Sequence, residues 1–312
     1  MASTAATCER PLRSVPQRCV LLNPHARGGR AAALLPTLQA ALPPDAVLHA
    51  PRDLVDALAL LQKLPEGSRV VAVGGDGTLN RWLPVLLERR LELGVVPMGS
   101  GNDIARALGM HRRKPLAALV HALNAETRPM DVGCAQWRDP MGREFRTVFL
   151  SSFTAGFDSA VVMRTLSGPQ WLRGLPRYLW ATLAELVHLQ TWALDVSANG
   201  KHLHSGPALF ASSLNTSTFG SGMPAAPAAR TNDGLLNLLL AGPFGRLSAL
   251  AMLPRLLTGT HLGHPYISTR AFETMTLSSL TDLPLAADGE FLGYARQLNL
   301  SVLPGALAVV GI

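Results

Sequence analysis

Arg69-Val-Val-Ala-Val-Gly74-Gly75-Asp76-Gly77-Thr78-Leu79-Asn80 is the stretch that decides the fold of this chain. Its continuous apolar run reads as a strand buried on both faces, as in a parallel sheet covered by helices. The glycines that follow allow backbone N–H groups to approach an anion. The helix expected from Thr78 adds its positive N-terminal end, so the loop reads as a phosphate cradle. Asp76 in such a cradle would repel phosphates unless a divalent cation lay between them. The plainer alternative is a tight strand-to-helix turn in which Asp76 or Thr78 caps the helix. No GxxxxGK[ST] occurs in the chain, and Asn80 stands where a dinucleotide fingerprint needs its third glycine, so a different nucleotide-binding solution is implied.

The next apolar run ends in the same way. Leu93-Gly-Val-Val-Pro-Met-Gly99-Ser100-Gly101-Asn102-Asp103 is again strand, glycine loop and helix, and two adjacent strands with such loops make one wide anion site. Asn102 or Asp103 alone would pass for an N-cap. Leu22-Asn23-Pro24-His25-Ala26-Arg27-Gly28-Gly29-Arg30 adds an amide, two Arg and two glycines after the first strand.

Around these loops, short β-branched runs alternate with helical stretches from about Arg18 to Glu126, the pattern of a mostly parallel α/β layer. Strands are expected at 19–22, 46–49, 69–73 and 93–97, and helices at 28–42, 54–64, 78–89, 103–108 and 115–123. After Met130 the pattern becomes mainly antiparallel β, with strands at 145–152, 193–198, 208–213, 235–241, 274–279 and 297–303. Helical insertions are expected at 174–189 and 245–257. The organisation read from this is a flexible N-terminus over 1–17, an α/β nucleotide-binding domain over 18–129 and an antiparallel β-sandwich domain over 130–312. The last segment is able to return to the first domain.

The 312 residues, 48% of them apolar, suffice for two cores, and only 16% are charged. Mean hydropathy is high at +0.21, yet no run approaches the ~18 apolar residues of a membrane span. Glu9, Arg10 and Arg13 interrupt the position of a signal-peptide core. Three cysteines without CxxC spacing imply neither a disulfide scaffold nor a zinc site, so a cytoplasmic protein is expected. The net charge of +7 points to an anionic partner. Aromatic residues make up 5% and no basic helix stands out, so nucleic acid is not expected.

Together the motifs resemble the diacylglycerol kinase catalytic family, in particular the soluble bacterial YegS/DgkB-like lipid kinases, with sphingosine kinases more distant. The match rests on Asn23-Pro24, Gly74 to Asn80, Gly99 to Asp103, Met130-Asp131-Val132-Gly133, Asn232-Asp233-Gly234-Leu235-Leu236 and Leu280 to Glu290, in that order. Gly-Gly-Asp-Gly-Thr alone would also fit NAD kinases, whose acceptor is a soluble dinucleotide, and a regulator that kept the fold without turnover is the non-enzyme alternative.

The resemblance implies an ATP- and Mg2+-dependent lipid kinase with its active site between the two domains. ATP is expected on Asn23, Gly74, Gly75, Asp76, Gly77, Thr78, Leu79, Asn80, Arg81, Ser100, Gly101, Asn102 and Asp103. It further implies a water-linked magnesium network of Asp76, Asp103 and Asp131. A structural Mg2+ is expected on Asp233 with the carbonyls of Arg230 and Leu235, and the general base is expected at Asp288 or Glu290. Arg81 stands where relatives often carry Glu, and Ser100 where they carry Thr. Taken by itself, Asp288-Gly289 would be a hairpin tip. A lipid substrate implies reversible, salt-sensitive binding at the inner membrane face. Oligomeric state is not legible, and a homodimer is compatible with everything above.

Overall fold

The structure, a computed structural model, describes residues 15–169, 171–172 and 174–311. Most of the N-terminus expected to be flexible, residues 1–14, lies outside that set, as does Arg173. Four parallel strands, β1 (Arg18–Leu22), β2 (Ala46–His49), β3 (Arg69–Gly74) and β4 (Glu92–Pro97), lie in the order β2-β1-β3-β4. Val70 to Val73 and Val20 to Leu22 are wholly inaccessible, which is why the central strands read as unbroken apolar runs. Helices α1 (Leu35–Ala40), α2 (Leu54–Lys63), α3 (Asp76–Glu88), α4 (Asp103–Ala107) and α5 (Pro115–Asn124) connect and cover them. The helix expected from Gly28 is shorter, because Gly28 and Gly29 take the left-handed region (φ 68° and 87°) and the chain turns there before α1.

The remaining elements are β5 (Thr127–Arg138), β6 (Glu144–Phe149), β7 (Ser152–Gly156), α6 (Phe157–Leu166), α7 (Leu175–Leu186), β8 (Trp192–Ala198), β9 (Lys201–Ala208), β10 (Phe210–Leu214), β11 (Leu236–Ala241), α8 (Arg246–Thr258), β12 (Ile267–Phe272), β13 (Thr274–Ala287) and β14 (Glu290–Val310). All pairings among these strands are antiparallel, and they form a β-sandwich-like second domain around its own core. β14 pairs with β5 from Gln297 to Val310 and lies parallel to β4 at Val309. The last strand thus returns to the first domain, and the boundary read at Pro129 falls inside β5.

Several elements differ from the sequence expectation for local reasons. The strand expected over 145–152 is two strands, broken where the amides of Leu150 and Ser151 leave the ladder and donate to Asp288. α6 replaces a continuation of β7 because Gly156, at φ 101°, turns the chain out of the sheet. His261, in the loop after α8, is buried with Nε2 against the Ala225 carbonyl, and burial lowers its pKa. Among the described residues no helix is long and apolar enough to cross a membrane.

Candidate active site

A cleft of about 930 Å³ opens between the two domains. Its first wall is the pair of glycine loops after β3 and β4. A Cβ on Gly75 would lie 2.6 Å from Gly99 Cα, so the loops meet at their glycine backbones and form one floor. The Met98 N–H donates to the Gly74 carbonyl at 2.7 Å and ties them behind. Asn23 fastens the third loop to the same floor by donating from Nδ2 to Thr78 Oγ1 at 2.9 Å. The first amides of α3, those of Asp76 and Gly77, have no carbonyl four residues back within the helix.

The acids in this wall are held by backbone. Asp76 accepts from the amides of Asp103 and Ile104, both at 3.1 Å, so it caps α4 from the neighbouring loop. Asn102, at the N-cap position of α4, has φ 55° and exchanges two hydrogen bonds with Gly99 instead of capping. Asp103 accepts from Arg106, from Thr218 Oγ1 at 3.0 Å and from the Ser221 amide at 2.8 Å, which joins the loop to the second domain. Burial, then the charges of Asp103 and Asp288, push the Asp76 carboxyl up to about 6, against the pull of its two amide donors.

Asp288 stands on the opposite wall, at φ 45° in the turn between β13 and β14. Its Oδ1 accepts from the amides of Ser151 and Ser152 at 2.7 and 2.9 Å. Its Oδ2 accepts from the Leu150 amide at 2.8 Å and from Asn80 Nδ2 at 2.9 Å. Three successive amides converging on one carboxylate fix its position. Burial raises its pKa, and the four donors oppose the rise. Glu290 instead pairs with Arg81 at 2.9 Å, both half-exposed. The Arg at 81 thus has its counter-charge across the cleft in Glu290, an exposed pair worth no more than about 1 kcal/mol.

Of the residues named from the sequence, Asn23, Gly75, Asp76, Gly77, Thr78, Arg81, Ser100, Gly101, Asp103 and Asp288 line the cleft. Gly74, Leu79, Asn80 and Asn102 support it from behind, Leu79 as a buried core side chain, and Glu290 meets it through its pair with Arg81. Asp131 is not among the residues that line the cleft. Its two carboxylate oxygens accept from the Gly234 and Gly305 amides, each at 2.7 Å, so it pins the 230–235 loop to β14. Asp233 is exposed in that loop and accepts from the Leu235 amide at 3.1 Å; neither Arg230 nor Leu235 lines the cleft.

The sequence reading missed Asp158, at the start of α6. It is 5% exposed, lines the cleft and accepts from Ser212 Oγ at 2.8 Å. Burial pushes its carboxyl up to about 7, and burial followed by the Asp158 charge pushes the Tyr178 phenol well up. The available signal was one acid inside the apolar Phe153-Thr-Ala-Gly-Phe-Asp-Ser-Ala-Val-Val162. Folded Asp158 keeps its proton to about pH 7, whereas an unfolded Asp loses it near pH ~4. Its contribution to stability is therefore full below pH ~4 and lost as pH rises through 7. Asp158→Asn should raise the melting temperature above wild type at pH 8, with the difference closing toward pH 4. An equal difference at both pH values contradicts this account.

A glycine floor faced by a fixed carboxylate across an interdomain cleft is an arrangement that suits phosphoryl transfer. The diacylglycerol kinase catalytic domain family matches residues 17–135, and the YegS C-terminal NAD kinase beta sandwich-like domain matches residues 151–311. Diacylglycerol kinase of Mycobacterium tuberculosis strain H37Rv is 31% identical over 241 residues, 77% of this chain and 76% of that protein. Diacylglycerol kinase of Bacillus subtilis strain 168 is 26% identical over 232 residues, 74% and 73% of the two. A diacylglycerol kinase structure from Bacillus anthracis strain Sterne superposes with a TM-score of 0.72, at 20% identity, over 95% of this chain and 97% of that one. The chain belongs to the diacylglycerol kinase catalytic family, a family of ATP-dependent lipid kinases.

Proposed function

We propose that this kinase transfers the γ-phosphoryl group of ATP to the hydroxyl of diacylglycerol or a closely related lipid. The observation that carries the reading is Asp288, clamped by three successive amides across the cleft from the joined glycine loops. The loop amides and the start of α3 bind the phosphates. The lipid hydroxyl gives its proton to Asp288 as its oxygen attacks phosphorus in line, and ADP leaves. Both Asp288 oxygens already accept two donors, and Asn80 is the only side chain among them, so Asn80 is the donor that yields.

The Asp76 cluster fits a hard divalent cation, since the Asp76 carboxyl, buried beside the charges of Asp103 and Asp288, holds its proton more tightly than usual. Asp76 and Asp103 would hold Mg2+. Among the described residues no three His, Cys, Asp or Glu side chains converge on one point, so they would act through water and the nucleotide. When bound, Mg2+ neutralises phosphate charge. A second, structural Mg2+ would take Asp233 and neighbouring carbonyls, a hard all-oxygen donor set in a tight loop. At Mg2+ about a hundredfold above its dissociation constant, wild type should gain about 2.7 kcal/mol of stability. Asp233→Ala should lose that gain, and an undiminished Mg2+ dependence of its melting temperature refutes the site.

The protein binds membranes peripherally and reversibly in this reading, supported by the +7 charge and the lipid acceptor. Transfer of labelled phosphate from ATP to diacylglycerol, monoacylglycerol, phosphatidylglycerol, ceramide and sphingosine in mixed micelles tests the acceptor. Label in diacylglycerol is expected; label only in NAD, in a lipid-free reaction, overturns the reading.

A further inference from the structure

Helix α8 is inserted between β11 and β12 and is apolar on both faces. Ala249 alone of its thirteen residues is buried. Met252 and Leu253 pack inward on the core of the second domain, and Leu256 packs on a smaller cluster. The opposite face carries Leu247, Leu250, Ala251, Pro254 and Leu257, spaced i, i+3, i+4, i+7 and i+10, which is one stripe at helical periodicity. Leu247 is 83% exposed and Leu250 44%. Arg246 and Arg255 are exposed and border the stripe on its two sides. Among the described residues nothing covers this face.

The surroundings decide what the stripe meets. From Gly234 to Phe272 the chain holds no Asp or Glu, but it holds Arg246, Arg255 and Arg270. A second copy docking symmetrically on this face would set guanidinium against guanidinium with no carboxylate of the segment to pair them. An anionic bilayer complements both the charge and the apolar stripe. The surface also adjoins the cleft, since Leu256 shares its cluster with Leu175, Tyr178 and Phe219, and the last two line the cleft.

We propose that α8 is an interfacial helix that lies in the headgroup layer of an anionic membrane, Leu247, Leu250 and Leu257 inward and Arg246 and Arg255 at the phosphates. This rests on the lipid-kinase reading above and names the surface through which such an enzyme meets its substrate's membrane. The exposed leucines are then membrane contacts that the folded protein alone leaves unused.

The test uses the full chain and phosphatidylglycerol/phosphatidylcholine vesicles without substrate or ATP. Wild type should co-sediment at low salt and be released as salt rises. Leu247→Ser with Leu250→Ser should lower the partition coefficient at least 10-fold at an unchanged melting temperature. Arg246→Gln with Arg255→Gln should flatten the salt dependence. Hydrogen exchange of residues 246–258 should slow on wild-type vesicle binding, a readout that needs no variant. Activity of the double Ser variant on a short-chain, water-dispersed diacylglycerol should match wild type. If wild type is inactive on every lipid but the vesicle results hold, the kinase reading fails and the docking surface stands. Unchanged partitioning of the double Ser variant together with no exchange protection over 246–258 overturns the proposal. So does a lipid-free dimer that those Ser substitutions dissociate while vesicle binding persists.

Discussion

Asp288→Asn should lower kcat by about 10³-fold on the best lipid acceptor while ATP affinity stays within a few-fold of wild type. The amide oxygen of Asn can still accept from one pair of donors. Its NH2, however, must face the other pair, so two N–H groups confront it where the carboxylate accepted both. The variant therefore loses the base and is also less stable, with a melting temperature several degrees below wild type. A chemical role is separated from a structural one by ATP binding, because the glycine loops belong to the other wall. Single-turnover transfer with an ATP titration of bound nucleotide checks this. Near wild-type turnover would make Asp288 a turn residue, and Glu290→Gln, which removes only an exposed charge pair with Arg81, should in any case be far milder.

Gly75→Ala should abolish measurable ATP binding. Its backbone angle is unremarkable at φ −112°, so the effect is steric. The new methyl carbon meets Gly99 Cα at 2.6 Å and Gly99 N at 3.2 Å, both backbone atoms. The loops have little room to separate, since β3 and β4 are in register to Gly74 and Pro97 and the Met98 amide bonds Gly74. Overpacking of this kind costs about 1–3 kcal/mol, which leaves a folded protein whose phosphate floor is split. A nucleotide-binding isotherm with a thermal melt on the same sample checks it. ATP bound as tightly as by wild type would show that the floor is not where phosphates sit.

The nucleotide half was legible because its information is local. Buried parallel strands print unbroken apolar runs, and Gly74 to Asp76 and Gly99 to Gly101 follow them directly. The second half was legible only in outline. β13 and β14 run 14 and 21 residues, and only their alternating or apolar portions stood out. β9, Lys-His-Leu-His-Ser-Gly-Pro-Ala, is an edge strand whose exposed polar residues carry no strand signal. The clamp on Asp288 joins residues 136 to 138 positions apart, and no spacing rule reaches that far. Asp131 carries surroundings that its motif does not print, since its two oxygens accept from the distant Gly234 and Gly305 amides. Asp158 became visible only once folding buried it beside Ser212 and Tyr178.

The central claim is that one cleft brings the ATP phosphates and a lipid hydroxyl to Asp288. A crystal structure with a non-hydrolysable ATP analogue and a short-chain diacylglycerol tests it most directly. The account predicts the phosphates on the Gly75 and Gly99 loops and the free lipid hydroxyl at about 2.6–3.2 Å from an Asp288 oxygen, in line with the γ-phosphorus. A hydroxyl bound out of reach of Asp288, with the phosphates seated as predicted, would contradict it.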